Sequence, residues 1–309
     1  RVVLATTGAS LAGWPALRAS GAGAALPRLL ATEPVLLAAE AHLRELAAAL
    51  ARATEAGGSA AAEAKADRLG HDGPQLAEAL ASAEEVSFRQ EVTVEGPEGP
   101  VLLSPASSGH SLGASYWTVS SFGVRVAVLG PASLVEPLPP RPLDPGPLAE
   151  ARLAVLLGTA AAGAGGGADV PTALGEAAAD GARALGEGRC LLVPLGPDLE
   201  LALGVCEALG QAIAELPIAS QAPIFALGGV ARQLRRSVSY AEWAHPDRAG
   251  HAHAGESPFL ADELVKAGRL SLADAPHELA GAYREPCALL VPAPPAGWAA
   301  PGLPWARWL

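Results

Sequence analysis

A single histidine, His110, lies in a loop of serine and glycine residues between two apolar, strand-like segments. The surrounding run, residues 104–117, reads Ser-Pro-Ala-Ser-Ser-Gly-His-Ser-Leu-Gly-Ala-Ser-Tyr-Trp. A histidine held at the mouth of a sheet can bind zinc, and a catalytic zinc ion needs about three protein ligands and an open position for water. The residues that would supply the other ligands therefore decide whether this loop belongs to a metal site.

The other positions where a metallo-hydrolase of mixed α/β fold would carry its ligands hold residues of the wrong type. Residues 6–13, after the first predicted strand, contain no histidine, aspartate, glutamate or cysteine. The strand after His110 ends in Gly130 and Pro131, and neither has a carboxylate that would bridge two metals. Because His110 alone cannot hold zinc, we predict no metal ligand and no catalytic residue. We expect its imidazole to be hydrogen-bonded inside the loop.

A second group of histidines occurs after a predicted helix. His245, His251 and His253 lie near Asp247 in a polar stretch. We interpret this stretch as a solvated loop, and adventitious metal binding is the alternative.

Two further patterns are typical of phosphate recognition, and each has a plainer interpretation. Residues 163–168 fit G-x-G-x-x-A between a strand and a helix, as in a dinucleotide-binding loop. The first glycine lies well beyond the strand, however, so a flexible loop fits better. Arg232, Arg235 and Arg236 share a predicted helix, and a solvated helix face is the usual place for arginine.

Composition excludes several classes of protein. The net charge of −11 argues against a free-standing nucleic-acid binder, which needs a basic face. Cys190, Cys206 and Cys287 lie far apart in apolar settings without a C-x-x-C pair, so we expect buried free thiols. The apolar run 153–168 is too short to span a bilayer. The chain contains no methionine and begins with arginine, so we expect a fragment with an unpaired sheet edge and exposed apolar surface.

The elements that would position these residues differ between the two halves of the chain. The first half reads as strand pairs with flanking helices, and the Pro-rich stretch 131–147 reads as a domain crossing. The second half alternates strands and helices, as parallel βαβ units do. The predicted strands are 1–5, 29–32, 86–95, 101–103, 114–121, 124–129, 153–157, 190–194, 223–227 and 287–291. The predicted helices are 10–20, 33–53, 74–83, 171–185, 197–216, 230–243 and 258–267.

The His110 loop resembles the third metal motif of RNA-processing nucleases with metallo-β-lactamase and β-CASP domains. Residues 30–34 are similar to the strand–helix joint that follows the main metal cluster of that family. Residues 239–243, 256–259 and 283–287 resemble a catalytically inactive branch of it. The resemblance depends on the order and spacing of these motifs along nearly the whole chain.

The resemblance implies an incomplete metallo-β-lactamase-like αββα sandwich over residues 1–147 and an inserted β-CASP α/β domain over 148–309. It places the main cluster within residues 6–13, the bridging acid near 130–131 and the β-CASP acid at 157–159, where the residues are Leu-Gly-Thr. Only His110 occupies a metal position, as a vestigial ligand.

The implied role is a non-catalytic scaffold in a nuclear RNA-processing complex. The chain would pair with an active β-CASP endonuclease subunit and contact RNA only indirectly, without a cofactor or a membrane. Two alternatives remain: a zinc-dependent hydrolase whose missing ligands lie outside this sequence, and a nucleotide-binding α/β module that uses residues 163–168.

Overall fold

The computed structural model describes residues 1–19, 27–55, 78–134, 139–157, 170–196, 199–217, 221–253 and 256–293. The strands are β1 (Val2–Leu4), β2 (Arg28–Ala31), β3 (Glu84–Glu85), β4 (Val92–Gly96), β5 (Gly99–Ser107), β6 (Ser115–Ser121), β7 (Val124–Leu129), β8 (Leu153–Leu156), β9 (Leu191–Leu195), β10 (Ile224–Leu227), β11 (Leu270–Ala273) and β12 (Ala288–Pro292). The α-helices are α1 (Trp14–Ala19), α2 (Glu33–Glu55), α3 (Gly146–Ala149), α4 (Val170–Gly186), α5 (Leu199–Ala214), α6 (Gly228–Arg235), α7 (Pro246–His253) and α8 (Leu260–Lys266). No helix within these ranges is long and apolar enough to cross a bilayer.

The strands form three sheets. A small parallel sheet has the order β1-β2-β3, and a five-stranded sheet has the order β4-β5-β6-β7-β8. The latter is an antiparallel meander from β4 to β7, and β8 pairs with β7 in parallel. The third sheet is fully parallel, with the order β11-β10-β12-β9. This mixed α/β architecture confirms the predicted α/β fold class of metallo-β-lactamase type; the domain boundary at residue 147 stays a prediction.

The pattern of apolar residues explains which faces of the sheets and helices are buried. Leu103 of β5 and Trp117 of β6 belong to one buried cluster, whereas Leu102, near the end of β5 away from the His110 loop, is 38% exposed. On α5, the residues Leu199, Leu203, Cys206, Leu209 and Ile213 are buried at helical spacing. They form one core with the central strands of the parallel sheet.

The structure corrects several predicted elements. The strand predicted at 86–95 begins only at Val92, because a turn with a positive φ of 64° at Arg89 precedes it. The helix predicted at 230–243 ends at Arg235 and continues as a 3-10 helix, Ser237–Trp243, where the Ser237 hydroxyl donates to the Leu234 carbonyl. β11 has no counterpart among the predicted strands.

The alternating pattern predicted that the strand at 153–157 joins the sheet of the second half, and this prediction is wrong. As β8 it pairs with β7 at the edge of the five-stranded sheet. Its apolar side chains are open to solvent, with Leu153 57% and Leu156 59% exposed.

Two ion pairs join the halves at helices α2 and α6. Glu40 of α2 accepts a hydrogen bond from Arg236 at 3.0 Å, and Glu45 accepts one from Arg232 at 3.3 Å. Burial opposes the charge of Glu40, but its hydrogen bonds to Arg236 and Arg44 hold the pKa of this carboxyl below its usual value. Arg232 of α6 and Arg236, the residue that follows this helix, thus connect the halves.

Candidate functional site

One pocket gathers the loops that the family resemblance singled out. Its walls come from Thr7–Ala9 after β1, from His110–Leu112 and from Pro131 after β7. The pocket has a volume of about 180 Å³, which is below the ~300–1,000 Å³ typical of small-molecule sites. The chain therefore folds so that all three predicted metal-motif positions in the first half meet at one place.

The remaining walls come from α2 and from the second half of the chain. They include His42 of α2, Glu200 at the start of α5, Gln233 of α6 and Tyr240 of the following 3-10 helix. Sequence reasoning missed all four as pocket residues, because nothing in the local pattern indicates which distant segments will meet.

Hydrogen bonds from β6 hold the loop after β1 against the His110 loop. The Ala5 carbonyl accepts from the Trp117 indole at 2.8 Å and from the Ser115 hydroxyl at 3.3 Å. The backbone N–H of Ser115 donates to the Thr6 carbonyl at 3.0 Å. Gly8 packs so closely on α2 that a Cβ would lie 2.8 Å from the Ala38 side chain. The segment where the family resemblance places the main metal cluster is thus held in position by hydrogen bonds from β6 and by close packing on α2.

The His110 ring itself lies exposed at the rim of the pocket. In the part of the chain that the structure describes, it makes no hydrogen bond to its loop, so the expected internally bonded imidazole is wrong. The residue that secures the loop is Leu112, which is only 4% exposed and belongs to the core of the second half. Its N–H donates to the Glu200 carboxylate at 2.5 Å.

The other side of the loop is tied to the start of α2. The Thr32 hydroxyl, fully buried, donates to the Gly113 carbonyl at 2.7 Å. Gly113 has φ +72°, and a Cβ there would lie 2.6 Å from the Pro34 ring. The Ser/Gly composition of the loop therefore serves the junction between the halves, since it lets the backbone approach α2 and the second-half core together.

We predict that Gly113→Ala lowers the free energy of unfolding by about 2–5 kcal/mol, because left-handed strain and overpacking against Pro34 add. Gly123→Ala is the matched control: its φ is +76°, and a Cβ there meets nothing within 4 Å. It should lose only the strain, about 1–2 kcal/mol. Urea denaturation followed by far-UV circular dichroism measures both, and equal losses would contradict the close contact with Pro34.

The pocket does not fit a zinc ion. Zinc needs several convergent histidine, cysteine or carboxylate ligands, and the described residues contain no group of three that could hold a metal. Glu200 is engaged by the Leu112 N–H, and burial raises the pKa of the Tyr240 hydroxyl, which keeps it neutral. The hydrogen bond between Leu112 and Glu200 makes this pocket part of the junction between the two halves of the chain.

Among the described residues, the other predicted site residues do not assemble into a second site. Residues 245–255 were predicted as a solvated loop, but Pro246 and Asp247 begin helix α7, as is usual for proline and an acid in a first turn. His245 faces Asp247 at 3.5 Å, and the His251 ring contacts Glu256 at 2.8 Å. The loop 163–168 lies outside the described residues.

The comparison with known proteins adds a relationship that the pocket alone does not give. No family model matches the chain. Over 223 residues, or 70% of its length, the chain is 26% identical to "Integrator complex subunit 9" from Gallus gallus. The chain is similar to Integrator complex subunit 9. The proteins of that name from Homo sapiens and Mus musculus are each 27% identical over 68% of the chain.

These identities support a relationship at the level of a protein family. The matched region covers only 31–32% of each relative, so the chain spans about a third of the length of the Integrator complex subunit 9 proteins. The relationship agrees with the resemblance that the motifs carried.

Proposed function

We propose that this chain is part of an Integrator complex subunit 9 protein and acts as a non-catalytic scaffold subunit of the Integrator complex. In that role it pairs with the complex's active β-CASP endonuclease subunit and with other Integrator subunits in the nucleus, for 3′-end processing of small nuclear RNA and other nascent transcripts. The partner supplies the metal and the base, and this chain supplies part of the wall of an RNA-entry groove. Similarity to Integrator complex subunit 9 supports membership of such a complex.

One observation carries the non-catalytic role. The three loops of the predicted metal site meet at one pocket, yet residues 6–13 and 130–131 carry threonine, glycine, alanine, serine, leucine and proline. None of these has an imidazole, thiolate or carboxylate, which are the groups that bind catalytic zinc. Among the side chains that line the pocket, Glu200 fastens the His110 loop to the second half through the Leu112 N–H.

The acidic character of the chain supports an indirect contact with RNA. Free-standing nucleic-acid binders neutralise phosphates with lysine and arginine, whereas this chain has a net charge of −11. At the junction between the halves, Arg232 of α6 and Arg236 just after it are already paired with Glu45 and Glu40. A basic surface for RNA would then come from the partner.

Metal analysis of the purified chain and of the full-length protein tests the non-catalytic role. We expect zinc well below one ion per chain in the wild type, with the same low value in His110→Ala, and no RNA cleavage. Stoichiometric zinc that falls in His110→Ala, together with cleavage of RNA, would establish the zinc-hydrolase alternative instead.

Co-expression tests the scaffold role separately. The full-length protein is expected to co-purify with the active β-CASP endonuclease subunit, and catalytically inactive point variants of that partner should bind equally well. Failure to co-purify with it would refute the scaffold role and leave the metal result intact.

A further inference from the structure

Two cysteines that are far apart in the sequence lie side by side in the parallel sheet. Cys190 immediately precedes β9, and Cys287 immediately precedes β12. These strands are neighbours, with Leu191 opposite Ala288, so the register places Cys190 opposite Cys287. The Leu191 N–H donates to the Cys287 carbonyl at 2.9 Å, which shows that the pairing continues to this position.

The spacing suits a covalent bond between the two side chains. Neighbouring strands lie ~4.8 Å apart, and disulfides join residues whose Cα atoms are ~4.4–6.8 Å apart. The Cys190 thiol helps to raise the pKa of the Cys287 thiol, as expected of neighbouring thiols. Cys287 is the buried free thiol that was expected, whereas the expectation of burial is wrong for Cys190, which is exposed.

The two thiols differ in access to solvent. Cys190 is exposed, whereas Cys287 is completely buried. This is the arrangement of an attacking thiol that meets the oxidant and a resolving thiol behind it. Cys206 is buried on α5 in another part of the core and has no such neighbour among the described residues.

We propose that Cys190 and Cys287 form a thiol pair that a small-molecule disulfide, such as oxidised glutathione, converts to an intramolecular disulfide. The Cys190 thiolate attacks the glutathione disulfide, forms a mixed disulfide and releases one reduced glutathione. The Cys287 thiolate then attacks the Cys190 sulfur and releases the second. Two protein thiols are oxidised and one glutathione disulfide is reduced to two thiols, whose protons come from the two cysteines.

The second step should depend steeply on pH. Burial, with a contribution from Cys190, raises the pKa of the Cys287 thiol to about 11. Only the thiolate is a nucleophile, and below the pKa its fraction rises about tenfold for each unit by which the pH is raised. The rate of disulfide closure should therefore rise about tenfold per pH unit in this range. The mixed disulfide at Cys190 should therefore be detectable near neutral pH and should disappear faster at pH 9.

The bond would fasten the edge of the sheet. β9 has only β12 as its neighbour among the described strands. The link closes a long chain loop, so we expect the oxidised chain to melt about 5–10 °C above the reduced chain. Cys190 lies at the end of β9 away from Glu200, so the pocket is not involved.

Intact-mass and peptide mass spectrometry of the 309-residue chain, incubated with oxidised glutathione and quenched in acid, tests the proposal. The wild type and the control Cys206→Ser should each lose two hydrogens and yield a peptide that links Cys190 to Cys287. Cys287→Ser should stop at one glutathione on Cys190, and Cys190→Ser should remain unmodified.

Three results would overturn the proposal. They are a stable glutathione adduct on Cys190 in the wild type at pH 9, a disulfide-linked dimer through Cys190, and a link that involves Cys206. An oxidised chain whose melting temperature equals or falls below that of the reduced chain would contradict the fit of the bond to the native strand pairing.

Discussion

Truncation of Trp117 to alanine is expected to lower the free energy of unfolding by about 3–5 kcal/mol. Trp117 is completely buried in β6, in a core cluster with Leu30, Val86 and Leu103. Its indole N–H also donates to the Ala5 carbonyl, at 2.8 Å. The variant therefore loses packing between two sheets and one of the bonds that hold the loop after β1 in place.

Two further variants make this prediction measurable even if the alanine variant fails to fold. Trp117→Phe keeps most of the ring volume and loses the hydrogen bond, so it should cost about 1–3 kcal/mol. Phe122→Ala is the control, because Phe122 is an aromatic residue in the adjacent turn that is 76% exposed. It should change stability by less than ~0.5 kcal/mol. Far-UV circular dichroism during urea denaturation gives all three values, and similar losses for Phe122→Ala and Trp117→Phe would contradict the assigned role of Trp117.

The sequence predicted helix α2 and the strands of the meander well, because the signals for these elements are local. Helix α2 follows from helical spacing of leucines after Glu33 and Pro34, and the meander follows from alternation interrupted at Gly123. β11 escaped prediction because Leu270–Ala273 is a four-residue strand with only two strongly buried positions. The pairing of β8 with β7 is a long-range choice that local patterning does not encode.

The candidate site, too, could be predicted from the sequence only in part. That residues 6–13, His110 and Pro131 share one pocket followed from the family resemblance, because the resemblance fixed the order of the loops. The roles of Leu112 and Glu200 did not follow, since their hydrogen bond joins residues in different halves of the chain. The loop looked like a remnant of a metal site by residue type, and its contacts show that it connects the two halves.

The second large effect is expected at an ion pair in the second half, between Arg248 of α7 and Glu207 of α5. Both carboxylate oxygens of Glu207 accept from the guanidinium at 2.7 Å, and the two side chains are only 21% and 14% exposed. Glu207 also accepts from the Leu260 N–H at 3.2 Å, and the guanidinium lies over the Phe259 ring. This pair therefore joins α5, α7 and the start of α8.

Arg248→Met should lower the free energy of unfolding by about 3–5 kcal/mol, because it leaves the Glu207 carboxylate buried without its partner. Arg183→Met is the matched control, since Arg183 pairs with Asp180 on the surface, where both side chains are about 70% exposed. Exposed pairs contribute at most ~1 kcal/mol.

The double variant Arg248→Met with Glu207→Leu separates burial of an unpaired charge from loss of packing. Because it removes both charges, it should recover much of the loss seen in Arg248→Met. Glu207→Leu alone completes the comparison: if its loss and that of Arg248→Met simply added in the double variant, the pair would not be coupled. The stability of α7 would then depend on the packing of Phe259 rather than on the charge of Glu207.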